Sequence, residues 1–253
     1  MARVGIIHVH SKYSYDGQHT LEEIRLFAKN RGYSFVGMAE HSDTLDEEKM
    51  SHFVAECRRL SDPAFLLIPG IEFTCDGNLH LLGLGIEHFS DTKSPISVAR
   101  FIRGQGGVAI VSHPIRYDYK IPSGLEGEIH GIEIWNAAYD GRFVPNDRSI
   151  ALWQALRGRN STLRAFGGQD LHEISGRCHV KITLPCDELK QETILQLLKE
   201  GNFLIANPYF RLRPSHLAGE TNLHSIIWAR RIYCLAKGMR DRFTRLFQDA
   251  HTR

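Results

Sequence analysis

The chain has 253 residues, of which 42% are hydrophobic and 24% charged, and this composition excludes long-range disorder. The length fits one large α/β domain, or a domain of about 200 residues with an appendage, and leaves no room for a second full-sized domain. No apolar run reaches the roughly 18 to 20 residues of a membrane span, and the N-terminus lacks the apolar segment of a signal peptide. We therefore expect a cytoplasmic protein.

The distribution of charge and the cysteine content narrow the class of protein further. The net charge is +2, but residues 207–253 hold nine Lys and Arg against three Asp and Glu, so the C-terminal part is basic and the remainder mildly acidic. The five cysteines include no CxxC pair, which argues against a disulfide framework and against a thiolate zinc site. We expect reduced thiols that are mostly buried.

Apolar runs alternate with amphipathic stretches along most of the chain, which predicts βα units and a mainly parallel sheet or barrel. The predicted strands are 3–8, 34–39, 65–71, 80–85, 108–111, 129–134, 163–167 and 179–184. Thr20 and Glu23 form a capping box for a helix that ends near Gly32, and Asp46 begins a helix that reaches about Leu60. Further helices are predicted at 97–103, 147–157 and 187–200. The proline-rich stretch 207–214 is the predicted boundary of a C-terminal helical extension, with its helix at about 222–250.

Histidine and acidic residues fall at the ends of six successive predicted strands. His8 and His10 are two residues apart at a strand end, a spacing that directs both imidazoles to one side, as two ligands of one metal ion require. In a barrel these strand ends meet on one face, where barrel enzymes have their active sites. The candidate metal ligands are His8, His10, Asp16, His41, Glu72, His80, His113, Asp170 and His172.

Each of these residues alone also has a structural interpretation. His113 precedes a proline and could belong to a turn, Glu72 could form a salt bridge, and Asp170 could cap the following segment. Ordinary strand-end loops would supply Gly, Asn and Ser instead of a potential ligand nearly every time, so the collective pattern favours a metal site. The remaining histidines are interpreted as structural or surface residues: His19, His52, His88, His130, His179, His216, His224 and His251.

Six segments together resemble, in order and spacing, the signature of the polymerase and histidinol phosphatase (PHP) domain family. They are HVHSKYSYDG, GMAEHSD, PGIEFTC, HLLGLG, SHP and GGQDLHE, and the resemblance covers about residues 3–206. It implies a distorted seven-stranded (β/α) barrel, an α/β fold, as a PHP-type domain over 1–206, followed by a basic amphipathic helical extension over 207–253. One departure is Glu40 before His41, where the family usually has Asp; Glu40 is expected to support the ligands from outside.

The resemblance also implies a division of the candidate ligands among up to three divalent ions. His8 and His10 would bind the first ion with Glu72 and Asp170. Glu72 would bridge to a second ion that is held by His80 and His113. The third ion would be held by Asp16, His41 and His172.

The chemistry of this ligand set can be argued without the family. Imidazole and carboxylate ligands without cysteine suit Zn²⁺, Mn²⁺ or Fe²⁺. Two or three such ions activate a water and neutralise phosphate oxygens, so the sequence predicts a phosphoesterase that hydrolyses a small phosphomonoester or nucleotide. The residues expected to carry catalysis are Glu72, Asp170 and His172, and the candidate phosphate-binding residues are Arg116, Arg142 and Arg177.

Other signals in the sequence are weaker. The segment 104–107 is glycine-rich, but it follows a predicted helix and precedes a strand, the reverse of a nucleotide-binding loop, so it is interpreted as a turn. Cys75 has no neighbour that marks a nucleophile and is interpreted as a packing residue.

Two alternative functions stay open. An amidohydrolase-type enzyme also begins with HxH at its first barrel strand, but Glu72, the position of Asp16 and the lack of a strand-end lysine argue against it. A non-catalytic PHP module with a structural or binding role should have lost ligands, whereas all nine positions are filled here.

The C-terminal extension pairs an apolar stripe with basic residues. Amphipathic spacing favours docking on the chain's own domain or on a second subunit in a homo-oligomer. The excess of arginine leaves an anionic partner, nucleic acid or lipid, as the alternative. The apolar stripe comprises Leu223, Ile226, Ile227, Ile232, Leu235, Met239, Phe243, Leu246 and Phe247.

Overall fold

The structure is a computed structural model that describes residues 2–141, 143–174, 179–209, 211–215, 217, 225, 228–236 and 238–239. The strands are β1 (Ala2–Val9), β2 (Phe35–Met38), β3 (Glu40–His41), β4 (Leu66–Ile68), β5 (Gly70–Thr74), β6 (His80–Leu84), β7 (Val108–Val111), β8 (Gly131–Asn136), β9 (Arg164–Gly168), β10 (Lys181–Pro185), β11 (Leu204–Ala206) and β12 (Arg211–Leu212). The helices are α1 (Leu21–Asn30), α2 (Glu47–Leu60), α3 (Pro95–Gly104), α4 (Ala137–Asp140), α5 (Asp147–Arg157) and α6 (Gln191–Glu200).

The helix boundaries follow from capping chemistry. The Thr20 side chain accepts a hydrogen bond from the Glu23 amide while the Glu23 carboxylate accepts from the Thr20 amide, so both members of the predicted capping box are formed. The Asp46 side chain caps α2 in the same position by accepting from the Lys49 amide. The longer helices bury an apolar face, which in α1 is formed by Leu21, Ile24 and Ala28.

The described strands form two mixed six-stranded sheets, in the orders β12-β11-β10-β1-β2-β4 and β3-β5-β6-β7-β8-β9. Among the described strands no closed ladder is formed, so the barrel stays a prediction. The predicted order of parallel strands is interrupted: β6 is antiparallel to both β5 and β7, and β10 is antiparallel to β1. Beside β1 and β9, a bridge between Val9 and Leu171 joins the two sheets, and the Gln169 amide donates to the Ile7 carbonyl.

The predicted strand at 65–71 divides between the two sheets, and the one at 34–39 is β2 of the first sheet, followed directly by β3 of the second. Ala39 separates β2 from β3, and Pro69 separates β4 from β5. Proline lacks the N–H that a continuous central strand would donate, so Pro69 is a natural point for the chain to leave one sheet and enter the next. The consequence is that His41 and Glu72 lie in the second sheet, paired side by side in β3 and β5.

The predicted extension, 207–253, begins within the sheet. Its strand β12 pairs with β11 through Ile205 with Leu212, and the buried side chain of Leu217 belongs to one of the two apolar cores. Residues 225, 228–236 and 238–239 are helical, in agreement with part of the predicted helix. The domain boundary itself stays a prediction.

The described part of the C-terminal helix includes only three residues of the predicted apolar stripe. Of these, Ile232, Leu235 and Met239 are exposed, whereas the neighbouring Arg230 is buried. Within the described part, Arg230 and Tyr233 contact the body, and docking of the stripe stays a prediction. The other predicted stripe residues, Leu223, Ile226, Ile227, Phe243, Leu246 and Phe247, lie outside the described residues.

Candidate metal centre

The nine candidate ligands all lie at one end of the two sheets. Six of them follow or end strands that run toward this end: His8 and His10 at β1, His41 in β3, Glu72 in β5, and His113 and Asp170 after β7 and β9. His80 begins β6, and because β6 is antiparallel to β5 its first residue lies at the same end, opposite Thr74. Asp16 and His172 reach the site from loops.

The structure brings the nine side chains into four overlapping groups in which potential ligand atoms lie within 4.8 Å of one another. Two of these groups differ from the expected division: His10 also reaches the group expected to hold the third ion, and His113 joins His8 and Asp170. Their role as ligands stays a prediction. The groups are His8–His10–Glu72, His8–His113–Asp170, Glu72–His80–His113 and His10–Asp16–His41–His172.

Backbone geometry at three candidate ligands is unusual. His8, His113 and Asp170 have positive φ angles of 66°, 24° and 52°, in the left-handed region that non-glycine residues seldom occupy. The pairing of β1 with β2 also skips His8, because Ile7 pairs with Gly37 and Val9 with Met38. A bulge of this kind re-aims a side chain at the end of a strand. Such strained positions persist where the surrounding structure holds them, and they concentrate at functional sites.

Glu72 is the centre of the cluster and is 1% exposed. Its carboxylate oxygens lie 2.8 Å from His113 Nε2, 3.2 Å from both His8 Nε2 and His80 Nδ1, and 3.3 Å from His41 Nδ1. Burial acts to raise the pKa of the Glu72 carboxyl, but the surrounding imidazoles, His8 foremost, outweigh it and hold the pKa well below its usual range. Glu72 is therefore an anion that touches several histidines, as a bridging ligand must be.

Two histidines are held neutral by burial. Burial lowers the pKa of His10 to about 4 against an opposing hydrogen bond to Asp170, and it also lowers the pKa of His80. The neutral imidazole is the form that binds a metal ion. These two residues are therefore prepared as ligands at neutral pH.

The mouth of the site is formed by the most accessible candidate ligands. The Asp16 and His172 side chains are 36% and 28% exposed, and they meet at 3.2 Å between Asp16 Oδ2 and His172 Nε2. His41 Nε2 lies 3.3 Å from Asp16 Oδ1, and the His172 ring stacks on His10 with centroids 4.1 Å apart. The Tyr15 ring, exposed to solvent, stacks on His41 at 4.9 Å.

Unpaired nitrogen atoms show that this donor set suits metal ions. Buried polar atoms normally have hydrogen-bond partners, and each one without a partner requires an explanation. Six of the candidate ligands contribute buried ring nitrogens without a hydrogen-bond partner in the described structure: His8, His10, His41, His80, His113 and His172. Imidazole and carboxylate groups with free lone pairs, converging without cysteine, fit Zn²⁺, Mn²⁺ or Fe²⁺.

Glu133 is a buried residue of the site that sequence reasoning missed. One of its oxygens, Oε1, lies 2.8 Å from His8 Nδ1, and the other, Oε2, accepts hydrogen bonds from the His113 amide and from Asn136 Nδ2. A Cβ atom at Gly168 would lie 1.9 Å from Glu133 Oε1, so the neighbouring strand needs glycine there. The signal in the sequence was a lone carboxylate inside the apolar run of β8, which costs free energy unless it is paired.

Glu40 supports the cluster through serine hydroxyls, as expected of a residue outside the ligand set. It accepts hydrogen bonds from the Ser11 amide and hydroxyl and from the Ser14 hydroxyl. Ser14 Oγ in turn accepts from the His41 amide and lies 3.4 Å from His10 Nδ1. Glu40 thus orients two candidate ligands without touching either ring.

Of the three candidate phosphate-binding arginines, the structure describes Arg116. It is exposed in the short turn after His113 and lines a cleft of about 630 Å³ with Leu79, the neighbour of His80 in sequence. The charge of Arg116 is among the influences that lower the pKa of His80, after burial and the charge of His113. Arg142 and Arg177 lie outside the described residues.

Two other interpretations from the sequence agree with the structure. Cys75 is buried, and burial raises the pKa of its thiol to about 12, so the thiol stays protonated and is a poor nucleophile. The glycine-rich segment 104–107 is the turn between α3 and β7. Neither feature belongs to the cluster.

Comparison with known proteins identifies the family. The family model of the PHP domain matches residues 7–155, which is more than half of the chain. The chain belongs to the PHP domain family. No curated protein matches the chain.

Solved structures show the same fold at low sequence identity. A two-domain protein from Bacteroides vulgatus ATCC 8482, which contains a predicted PHP-like metal-dependent phosphoesterase, is 19% identical with a TM-score of 0.56, and the match covers 83% of this chain and 65% of that one. PsfC from Pseudomonas syringae PB-5123 is 14% identical with a TM-score of 0.57, covering 93% and 98%. The lesion-specific endonuclease PfuEndoQ from Pyrococcus furiosus is 15% identical with a TM-score of 0.56, covering 81% and 58%.

These likenesses establish an α/β fold of the PHP type and not an activity, because all the identities are below a fifth. The chain spans about two thirds of the Bacteroides protein and less of PfuEndoQ. Among the described residues, no helix has the length and apolarity that crossing a bilayer requires.

Proposed function

We propose that this chain is a metal-dependent phosphoesterase that hydrolyses a small phosphomonoester or a nucleotide at a site for two or three divalent ions. The observation that carries the proposal is the convergence of nine potential ligands around the buried anion Glu72, with ring nitrogens left unpaired. A structural cluster would pair these groups with one another or with the backbone. Ring nitrogens whose lone pairs make no hydrogen bond can coordinate metal ions.

The proposed division of the ligands is the one that the family resemblance implies. His8, His10, Glu72 and Asp170 would hold the first ion, Glu72 with His80 and His113 the second, and Asp16 with His41 and His172 the third. The close grouping of His8 with His10 and Glu72, and of Glu72 with His80 and His113, supports this division. When bound, such ions generate a nucleophile from water at neutral pH and neutralise the charge of the phosphate oxygens. Zinc, manganese and iron all suit this ligand set.

The chain's own residues then bind and orient the substrate. Arg116 follows His113 by three residues in an exposed turn, and an arginine fork matches the oxygens of a phosphate. His172 is partly exposed between Asp16 and Asp170, so a departing oxygen would meet this side chain at the mouth of the site. Glu72 and Asp170 are buried and fix the spacing of the histidines around the scissile bond.

The proposed distorted barrel accounts for this convergence. The two sheets follow one another at Ala39 and at Pro69, and the Val9–Leu171 bridge joins their other sides. We infer that the arrangement is a distorted barrel of the expected kind, with its two sheets joined at both sides by these connections. The cytoplasmic location, and a second subunit or an anionic partner at the C-terminal helix, likewise stay proposals.

A phosphatase panel tests the function. Purified full-length chain, supplied in turn with Mn²⁺, Zn²⁺ and Fe²⁺, is assayed for phosphate release from sugar phosphates, amino-alcohol phosphates and nucleotides, with E72Q as the matched inactive control. We expect metal-dependent release from at least one class and none from E72Q. Bound ions without hydrolysis of any phosphoester would favour the non-catalytic module, and hydrolysis of amide or lactone substrates instead would favour the amidohydrolase alternative.

A further inference from the structure

The short helix α4 and its flanking residues, Asn136 to Gly141, link the metal cluster to the C-terminal helix. On the cluster side, Asn136 Nδ2 donates to Glu133 Oε2 at 3.0 Å and to Asp170 Oδ2 at 3.4 Å. The Tyr139 ring lies against His113 with centroids 4.9 Å apart. This segment, which we call the 136–141 turn, therefore contacts two candidate ligands and the carboxylate that orients His8.

The other side of the 136–141 turn is held by a buried charge from the C-terminal helix. Asp140 is 4% exposed; its Oδ2 accepts the Asn136 amide hydrogen bond at 2.8 Å, and its Oδ1 accepts from Asn146 Nδ2 at 2.6 Å. Arg230 is 9% exposed, donates to the Asp140 carbonyl oxygen, and places Nη2 at 3.6 Å from Asp140 Oδ1. Arg230 thus contacts both the backbone carbonyl and the side-chain carboxylate of Asp140.

The helix also approaches the backbone of the turn closely. Gly141 has φ +79°, and a Cβ atom there would lie 2.6 Å from the Tyr233 hydroxyl. Tyr233 packs on Phe143 with ring centroids 5.5 Å apart, while Trp135 Nε1 donates to the Gly141 carbonyl at 2.9 Å. Glycine at 141 is therefore required by the contact as well as by the conformation.

The choice of buried side chain on this helix indicates a specific contact. Arginine is costly to bury unless it is paired, whereas burial of Ile232 or Leu235 would be favourable. The structure nevertheless buries Arg230 and leaves those two side chains exposed. Within residues 228–236, a paired arginine therefore makes the buried contact, and Asp140 is its partner.

We propose that Arg230 is a positioning residue of the metal centre, so that the C-terminal helix completes the site by holding the 136–141 turn in place. The chain of contacts runs from Arg230 to Asp140, from Asp140 to the Asn136 amide, and from Asn136 to Glu133 and Asp170. The inference rests on the proposed metal centre, but its test does not depend on the substrate.

The test compares R230A with R231A in the full-length chain. Arg231 is the matched control, since it is the adjacent arginine on the same helix and is exposed. Two readouts are used at 25 °C, well below unfolding: Mn²⁺ affinity by calorimetry, and hydrogen exchange of the peptide that covers 136–141. We expect R230A to weaken Mn²⁺ binding by between about twofold and about thirtyfold, the usual range of coupling through a contact network. It should also speed exchange at 136–141, and R231A should change neither.

The conservative variant R230K separates positioning from bulk stability and serves if R230A does not fold. Lysine keeps the charge but cannot make the forked contact, so R230K should lie between R230A and the unaltered chain in both readouts. Unchanged Mn²⁺ affinity and exchange in R230A and R230K, even with a lower melting temperature, would overturn the inference. Equal effects of R230A and R231A would also overturn it. If the unaltered chain hydrolyses no phosphoester while R230A alters both readouts, the proposed function fails and this inference stands.

Discussion

Two buried acidic clusters lie on either side of Asn136, and they are built in different ways. In the Asp140 cluster the carboxylate is paired within the protein, by the Asn136 amide, by Asn146 and by Arg230. In the cluster around Glu72 the carboxylate meets imidazoles, and several ring nitrogens have no partner in the described structure. Burial alone therefore does not mark a functional carboxylate. What distinguishes the Glu72 cluster is coordinating capacity that the protein leaves unused.

The largest expected effect comes from E72Q, which keeps the shape of the central side chain and removes its charge. A neutral amide bridges cations poorly, and the contribution of such ions to catalysis is several kcal/mol, so we expect turnover to fall by roughly 10³-fold. Phosphate release under single-turnover conditions measures the effect, with circular dichroism as the check on folding. Activity within a few-fold of the unaltered chain would place the functional centre elsewhere.

E133Q tests the missed residue of the site by the same isosteric change. The carboxylate accepts hydrogen bonds on both oxygens, from His8 Nδ1 and from the His113 amide together with Asn136. In one orientation of the new side-chain amide, its NH₂ group would face two hydrogen-bond donors, the His113 backbone amide and Asn136 Nδ2. In the other it would donate to His8 Nδ1, so that the proton sits on Nε2 and blocks the metal-facing lone pair.

We expect E133Q to weaken Mn²⁺ affinity by about 10- to 100-fold, the range seen when a partner of a metal-binding histidine is lost. D140N is the comparison variant, since it neutralises the other buried carboxylate, which acts on the candidate ligands only through Asn136, so its loss should be the smaller one. Calorimetric titration of both variants makes the comparison. A smaller loss in E133Q than in D140N would contradict the role assigned to Glu133.

R116A examines the substrate side of the metal cluster. Loss of one charge-assisted contact to phosphate corresponds to about a tenfold drop in kcat/KM. The metal affinity should not change, because Arg116 is exposed and has no group that could bind a cation. Steady-state kinetics on the best substrate of the panel test this prediction, and an unchanged kcat/KM would exclude Arg116 from substrate binding.

The smallest effect concerns an exposed carboxylate that is satisfied by cations. The Asp62 carboxylate accepts hydrogen bonds from Lys29, from the Ala64 amide and from Arg25. Together they lower the pKa of Asp62 to about 2 in the folded chain, Lys29 having the largest influence. Because the folded pKa lies below the unfolded value, Asp62 stabilises the fold fully above about pH 4, and this contribution is lost as the pH falls toward 2. D62N should therefore lower the melting temperature at pH 7 by no more than about 4 °C. The difference should shrink toward pH 2; a constant difference across this range would contradict the assignment.

Local signals in the sequence predicted most of the elements, because capping and periodicity act over a few residues. The strand at 108–111 and the helix at 147–157 match the structure at both ends, and all eight predicted strands are present. The strand directions and the division at Ala39 and Pro69 were missed, since they depend on which strands pair across the molecule. The short strands β11 and β12 carry too few residues for a periodic signal.

The candidate ligands were accessible from the sequence because most of them lie at or near a strand end, and these ends share one edge. Glu133 and Arg230 were not, for different physical reasons. Glu133 lies inside a strand whose pattern is apolar, and its role follows from the bulge that turns His8 toward it. Arg230 lies beside the apolar stripe of an amphipathic helix, and helical spacing does not reveal that Asp140 is its buried partner.

The most direct test of the account is the metal content of the chain. Protein purified without chelator is analysed by elemental mass spectrometry and by native mass spectrometry, beside E72Q prepared in parallel. The account predicts two or three transition-metal ions for each unaltered chain and a clear loss of bound ions in E72Q, since one carboxylate is shared between sites. An unaltered chain that contains no metal and binds no added Mn²⁺ or Zn²⁺ would contradict the metal centre and the function built on it.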